Sequence, residues 1–349
     1  VFNTLSDPYL FVAFWTGVGA LVLTLALGGQ IVILRVSLRR KERRARMTVA
    51  AWRPILSAAA VDNMPEHLPH LASRDCITFM KLWIHLHASL RGHASSGLNT
   101  IAVRLHCNSF CRTLLEQGSR EESLLATLVL GYIQDRQSQT ALQRRLRSKD
   151  GIASLHAAWA LMQIDPEQVA PDVVALAISR QDWVLSQVVT ILHDGGQPCI
   201  QALVGQIAEL APGSLPKALR LAEALQVTLD DDLHERLLRH PSAGIVAMAL
   251  RLAGTSRLLP LVRELAAHPD WNVRVQAAKV LGRIGEREDI GVLMRLLSDN
   301  QWWVRYRAAQ ALASCPYFNR ADLDVLIDRL EDRYGQDMMR QVLAEKVSA

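Results

Sequence analysis

Apolar residues run from Tyr9 to Leu34 without one Asp, Glu, Lys or Arg. As a helix, those 26 residues would be about 39 Å long, enough to cross a hydrocarbon core of about 30 Å with some tilt. The pattern then changes. From about residue 75 onward apolar positions recur at i, i+3, i+4 and i+7, with Ile77, Met80, Leu82, Ile84 and Leu90 in the first such run. No long stretch alternates with period two, so the spacing predicts an all-α chain: a single N-terminal transmembrane helix followed by a helical domain.

The helical part repeats itself. Val273–Gly285 (VRVQAAKVLGRIG) and Val304–Pro316 (VRYRAAQALASCP) share Val-Arg, Ala-Ala and Leu at a 31-residue offset. The same apolar landmark falls on Leu130, Leu161, Leu192, Leu221, Leu252, Leu281 and Leu312, at steps of 29 or 31. Such a period marks stacked helical hairpins, each unable to bury its apolar face alone. First helices fit before the turns, as LPLVRELAAH precedes Pro269-Asp270 and IGVLMRLLSD precedes Asn300. Turn residues of the Asp, Asn, Pro, Ser and Gly types stop one helix and cap the next. Ala277-Ala278 and Ala308-Ala309 are small enough for neighbouring hairpins to approach closely.

These units resemble HEAT repeats. The resemblance rests on Leu-Pro-Leu-x-x-x-Leu at Leu259–Leu265, the turn Pro269-Asp270, the pair Val273-Arg274, and Ala277-Ala278 with Leu281-Gly282. It is close over 258–314 and looser over 105–256, where the Arg of Val-Arg is lost. It implies a HEAT-like α-solenoid whose surfaces bind other proteins, and no reaction of its own.

The expected layout is a short extracytoplasmic segment at 1–8, the membrane helix at 9–34, and a basic neck and linker at 35–71. N-terminal cap helices at 72–104, HEAT-like repeats at 105–319 and a C-terminal cap at 320–349 follow. Pro54, Pro65 and Pro69 predict a turn-rich lead-in over 51–71.

Charge refines this picture. Of the formal net charge of +5, residues 35–46 supply +6, which leaves −1 for all the rest. The basicity is therefore a local collar and not a nucleic-acid groove, which would spread positive charge over the folded part. Arg39, Arg40, Lys41, Arg43 and Arg44 sit where anionic lipid headgroups would meet them. Lys/Arg excess after the apolar run predicts that side to be cytoplasmic, with the N-terminus outside. A secretory leader would show a basic region before a shorter apolar core, so the anchor is the favoured reading. Cys76, Cys107, Cys111, Cys199 and Cys315 form no even, regular framework, which fits free thiols in a reducing compartment.

Two sets of residues suit contact with a partner. In the apolar run, Ala13, Gly17, Ala20 and Gly28 place small side chains where another membrane helix would pack closely. Phe11, Phe14, Trp15 and Tyr9 suit its interfacial end. In the solenoid, Trp183, Trp271, Trp302 and Trp303 recur at the inter-helix turns, a ridge of anchors of the kind enriched at binding hot spots. Packing across the turn is the alternative for each, but Trp302 and Trp303 cannot both face one core. Arg274 and Arg305 begin second helices, where pairing with Asp270 or Asp299 is expected.

Candidate chemistry is sparse. His67, His70, His85, His87, His93 and His106 crowd into 40 residues with Cys76, Cys107 and Cys111 nearby, yet no CxxC or HExxH spacing occurs. No Gly-rich phosphate loop or GxSxG is present. The reading is thus non-enzymatic, with no cofactor: a membrane-tethered scaffold. The layout, an anchor followed by WRPIL, LWIHLHASLRG and HEAT units, is similar to membrane-anchored bacterial HEAT-repeat proteins associated with glycosyltransferases. It implies an exopolysaccharide-synthesising glycosyltransferase complex of the bacterial inner membrane as the partner. A signalling adaptor for a cytoplasmic protein or ligand, and a HEAT-like lyase-type enzyme, are the rival readings.

Overall fold

A computed structural model describes residues 8–348 apart from 62 and 91–93, and the chain divides into two compact units, 1–145 and 146–349. Side chains of residues 8–10, 13, 94, 347 and 348 lie outside that description. Among the described residues the regular structure is helical, with no strand.

Unit 1 begins with α1 (Pro8–Ala59), a single helix of 52 residues. It is followed by α2 (Cys76–Ser89), α3 (Ala94–Arg104), α4 (Cys107–Gln117), α5 (Arg120–Ile133) and α6 (Gln139–Leu146). From Phe14 onward α1 includes a segment of mean hydropathy 2.1, none of it buried, long and apolar enough to cross a membrane.

Here the structure departs from the sequence expectation. Residues 51–59, expected as the turn-rich lead-in, continue α1 straight through Pro54. An interior proline costs a helix about 3 kcal/mol. Trp52, Leu56 and Ala59 lie on the opposite face and are 3%, 0% and 1% exposed. Burying side chains of the Leu class stabilises by roughly 1.5–3 kcal/mol each, so the packed face offsets the proline. The Trp52 ring meets Phe79 of α2 edge-on at 4.9 Å. Close approach of α3 needs Gly97, where a Cβ would overlap the Ala59 carbonyl oxygen.

The rest of unit 1 packs α2 and α3 on α1, and α5 on α2, α3 and α4. α5 starts in a capping box between Ser119 and Glu122. Arg112 of α4 grips Asp135 beyond α5 through two bonds of 2.8 and 3.0 Å.

Unit 2 holds α7 (Gly151–Ile164), α8 (Pro166–Ser179), α9 (Leu185–Gly195), α10 (Gln197–Glu209), α11 (Leu215–Ala224), α12 (Asp231–Leu238), α13 (Ala243–Leu252), α14 (Leu259–Leu265), α15 (Trp271–Ile284), α16 (Ile290–Leu297), α17 (Trp302–Ser314), α18 (Arg320–Arg329) and α19 (Arg333–Ser348). The second helices α11, α13, α15, α17 and α19 stack in a row, and α12, α14, α16 and α18 each pack on the helix that follows. This is a HEAT-like α-solenoid. Asp150, Asp165, Asp230 and Asp270 cap α7, α8, α12 and α15 by accepting from backbone N–H groups of the first turn. Gly196, at φ +64°, makes the sharp link from α9 to α10 that a side chain would resist.

The landmark leucines are core residues of their units. Leu130, Leu161, Leu192, Leu221 and Leu312 are fully buried and Leu281 nearly so. Leu252 is the exception. It closes α13 half-buried, and Leu250 takes the core position. Where α15 and α17 cross, Gly282 lies so close that a Cβ would stand 2.6 Å from the Cβ of Ala311.

Candidate interaction surfaces

The turn before α17 shows how unit 2 presents its side chains. Asp299 accepts from Arg274 at 2.7 and 2.9 Å and from the Gln301 N–H at 2.9 Å. Arg274 also donates to the carbonyls of His268 and Pro269, and Arg305 to those of Asp299 and Asn300. Arg274 thus ties its own turn to the next through the expected pairing with Asp299, whereas Arg305 binds the backbone carbonyls of its own turn and, among the described residues, pairs with no carboxylate. Burial alone would raise the Asp299 pKa, but the bonds from Arg274 and Gln301 and the neighbouring guanidinium charges hold it below the ordinary value.

This clamped turn leaves its aromatic residues outside. Trp302 and Trp303 are 41% and 52% exposed. Trp302 stacks on Tyr306 at 5.0 Å and 12°, and Trp303 stands perpendicular to Trp302 at 4.7 Å. Trp303 also meets Tyr306 edge-on at 6.3 Å. Tyr306 was not among the sequence candidates, although its i, i+4 spacing from Trp302 was the available signal. Its hydroxyl donates to Glu345 of α19 at 2.9 Å, which fixes the ring. Trp271, first residue of α15, is 43% exposed.

Trp183 has to leave this set. It is 5% exposed, beneath the Arg180 guanidinium 5.6 Å from its ring. Arg180 is held there by Asp182 at 2.9 and 2.6 Å and by the Ser148 carbonyl at 2.8 Å. The same Asp-Trp sequence thus packs inward at one turn and outward at another, depending on which neighbour covers the ring.

In α1, Gly17, Ala20 and Gly28 are exposed, and Cβ atoms built on the two glycines would meet nothing within 4 Å. The Ala13 side chain and that of Tyr9 lie outside the described residues. Thr16 and Thr24 donate to the carbonyls of Val12 and Ala20, so these hydroxyls are satisfied within the helix, as an apolar solvent requires. Arg39, Arg40, Lys41, Arg43 and Arg44 are all exposed along the next turns.

Of the histidine and cysteine crowd, His87, Cys107 and Cys111 are packed inside, while His67, His70, His85 and His106 are exposed. Trp83 donates to the Leu98 carbonyl at 2.9 Å, and the buried His87 ring lies 4.1 Å from Tyr132 and 3.1 Å from Asn99 Oδ1. Burial holds the His87 pKa down, against the opposing Asn99 bond. Cys107 and Cys111 are buried, and burial pushes the Cys107 thiol up to about 12. Among the described residues no three His, Cys, Asp or Glu side chains converge as metal ligands, and His93 lies outside them.

Compared with known proteins, residues 231–313 and 258–345 match HEAT repeats, a span that runs from α12 into α19. The chain is similar to an engineered protein of solved structure, 17% identical, covering 84% of this chain and 89% of that one at a TM-score of 0.36. It is also similar to the Escherichia coli protein YibA, 15% identical, covering 79% and 99% at a TM-score of 0.36. No protein in the curated set matches it in sequence.

Proposed function

We propose that this protein is a membrane-tethered scaffold that holds a membrane enzyme complex through two separate surfaces. The observation that carries the reading is α1 itself. One unbroken helix has its first part uncharged and wholly unburied, and its last two turns locked into the core of unit 1. Such a helix would fix unit 1 to the bilayer without a flexible joint. The exposed small residues Gly17, Ala20 and Gly28 offer a close-packing face to a partner helix. Trp271, Trp302 and Trp303 offer a second contact from the solenoid, and two weak contacts on one chain raise affinity without new chemistry.

The collar of Arg39, Arg40, Lys41, Arg43 and Arg44 supports a cytoplasmic side for the end of α1 that carries it, with anionic headgroups as its partners. A bacterial inner membrane fits this topology. A polysaccharide-synthesising glycosyltransferase is the partner class, and the layout resemblance supports it.

Purification of the full chain from native membranes in mild detergent, with mass spectrometry of what accompanies it, tests the reading. A co-purifying membrane glycosyltransferase, lost in the Trp302→Ala/Trp303→Ala variant, is the expected result. Solubilisation as a lone monomer, with and without the substitutions, would refute the proposal.

A further inference from the structure

The face built by the second helices carries an unbalanced order of charges. Glu223, Arg251, Lys279 and Arg307 follow one another at 28-residue intervals on α11, α13, α15 and α17. Glu223 neutralises Arg251 at 3.3 Å. No acid continues the row. Arg283, one turn beyond Lys279, adds a third cation beside Lys279 and Arg307.

These three side chains surround a hollow of about 200 Å³ between α15 and α17, lined also by Gly282, Gln310, Ala311 and Ser314. Among the described residues none of the three forms a salt bridge. Arg283 donates to the Ala253 carbonyl, and Arg307 donates to Gln310 Oε1 at 2.6 Å while lying 5.6 Å from the Tyr306 ring. The bonded partners of the two arginines are thus neutral. Glu345, on α19 nearby, is occupied by Tyr306 and by Gln341. The Lys279 ammonium is disfavoured by partial burial, and then by Arg307 and Arg251, with Glu223 opposing more weakly.

Three like charges around one hollow repel each other, a cost that folding gains nothing by keeping. The floor is fixed by the tight Gly282–Ala311 crossing, so the hollow cannot close over them. A cavity of roughly 150 Å³ accommodates a benzene molecule, so there is room for a compact anion. Arginine forks match phosphate oxygens bidentately, and lysine supplies a point charge between them.

We infer that Lys279, Arg283 and Arg307 form a binding site for a phosphoryl group carrying two or more negative charges, with Gln310 and Ser314 as further donors. The inference does not depend on the scaffold reading. A soluble phosphorylated compound and a phospholipid headgroup share this chemistry.

The test is calorimetric titration of the full chain in neutral detergent, at matched ionic strength, with inorganic pyrophosphate and separately with short-chain phosphatidic acid. Saturable one-to-one binding of at least one of them is expected. It should weaken at least tenfold in Lys279→Gln/Arg307→Gln and stay within about threefold in Lys279→Arg. The better ligand identifies the source of the phosphoryl group. Without ligand, the double variant should melt at or above the wild-type midpoint, because the repulsion is relieved. If it melts early, the single variant Lys279→Gln, altered only at an exposed helix position, carries the same comparison. Absence of saturable binding overturns the inference. So does affinity unchanged by the substitutions, which would place the anion on the basic collar at 35–46.

Discussion

The two ends of α1 are both rich in apolar side chains, yet they meet different surroundings. Leu21, Leu23 and Leu25 near its start are 61%, 61% and 67% exposed, whereas Leu56 near its end is fully buried. Composition alone does not separate them. Spacing does: buried Trp52, Leu56 and Ala59 occupy one face with Arg53, Pro54 and Ser57 on the other, while the earlier stretch is apolar all round. A one-sided stripe is made for a protein core, and an all-round apolar helix for a lipid solvent.

Substitution should separate the two ends sharply. Leu56→Ala should lower the unfolding free energy by about 2–5 kcal/mol, the range for emptying a packed leucine site, read from thermal melts in detergent. Leu23→Arg should leave those melts nearly unchanged but cost about 3 kcal/mol of membrane insertion, seen as a larger carbonate-extractable fraction. If the melt moves instead, the first part of α1 has a protein partner within the chain. Gly97→Ala should destabilise by about 1–3 kcal/mol, because α3 must back away from the Ala59 carbonyl.

A contact made by charge should differ from both by its pH response. Asp299→Asn should cost about 1–2 kcal/mol. The Asp299 pKa is held down in the fold, so its stabilisation is complete above the unfolded carboxyl value of about 3.9. It is lost as pH falls through the lower folded value. The wild-type and Asp299→Asn melting midpoints should therefore converge on acidification below pH 4. The smallest effect expected is for Leu23→Ala, under about 0.5 kcal/mol in the same melts, since nothing in the structure covers that side chain.

The turn tryptophans repeat the lesson within unit 2. Asp182-Trp183 and Asp270-Trp271 read alike, but Trp183 lies beneath Arg180 and Trp271 stands in solvent. The residue three positions earlier differs: Arg180 covers Trp183, whereas His268 stands at the same place before Trp271. Tyr306 joins the exposed cluster through a carboxylate on α19, 39 residues away along the chain. The charged row on α11 to α17, Glu223 followed by three cations, has an interval that differs from that of the leucine landmarks.

Periodicity by itself determined that the chain is helical, that its later part is a stack of hairpins, and that an uncharged stretch precedes them. These follow from forces acting over one helical turn or one repeat, which leave a regular trace. Only the tertiary structure decided that α1 runs through Pro54 into the core, that Trp183 is hidden, and that Lys279, Arg283 and Arg307 share a hollow. Each depends in part on contacts between residues distant in sequence: the burial of Leu56 and its neighbours outweighs a proline's cost, the Ser148 carbonyl holds Arg180 over Trp183, and α17 brings Arg307 to α15.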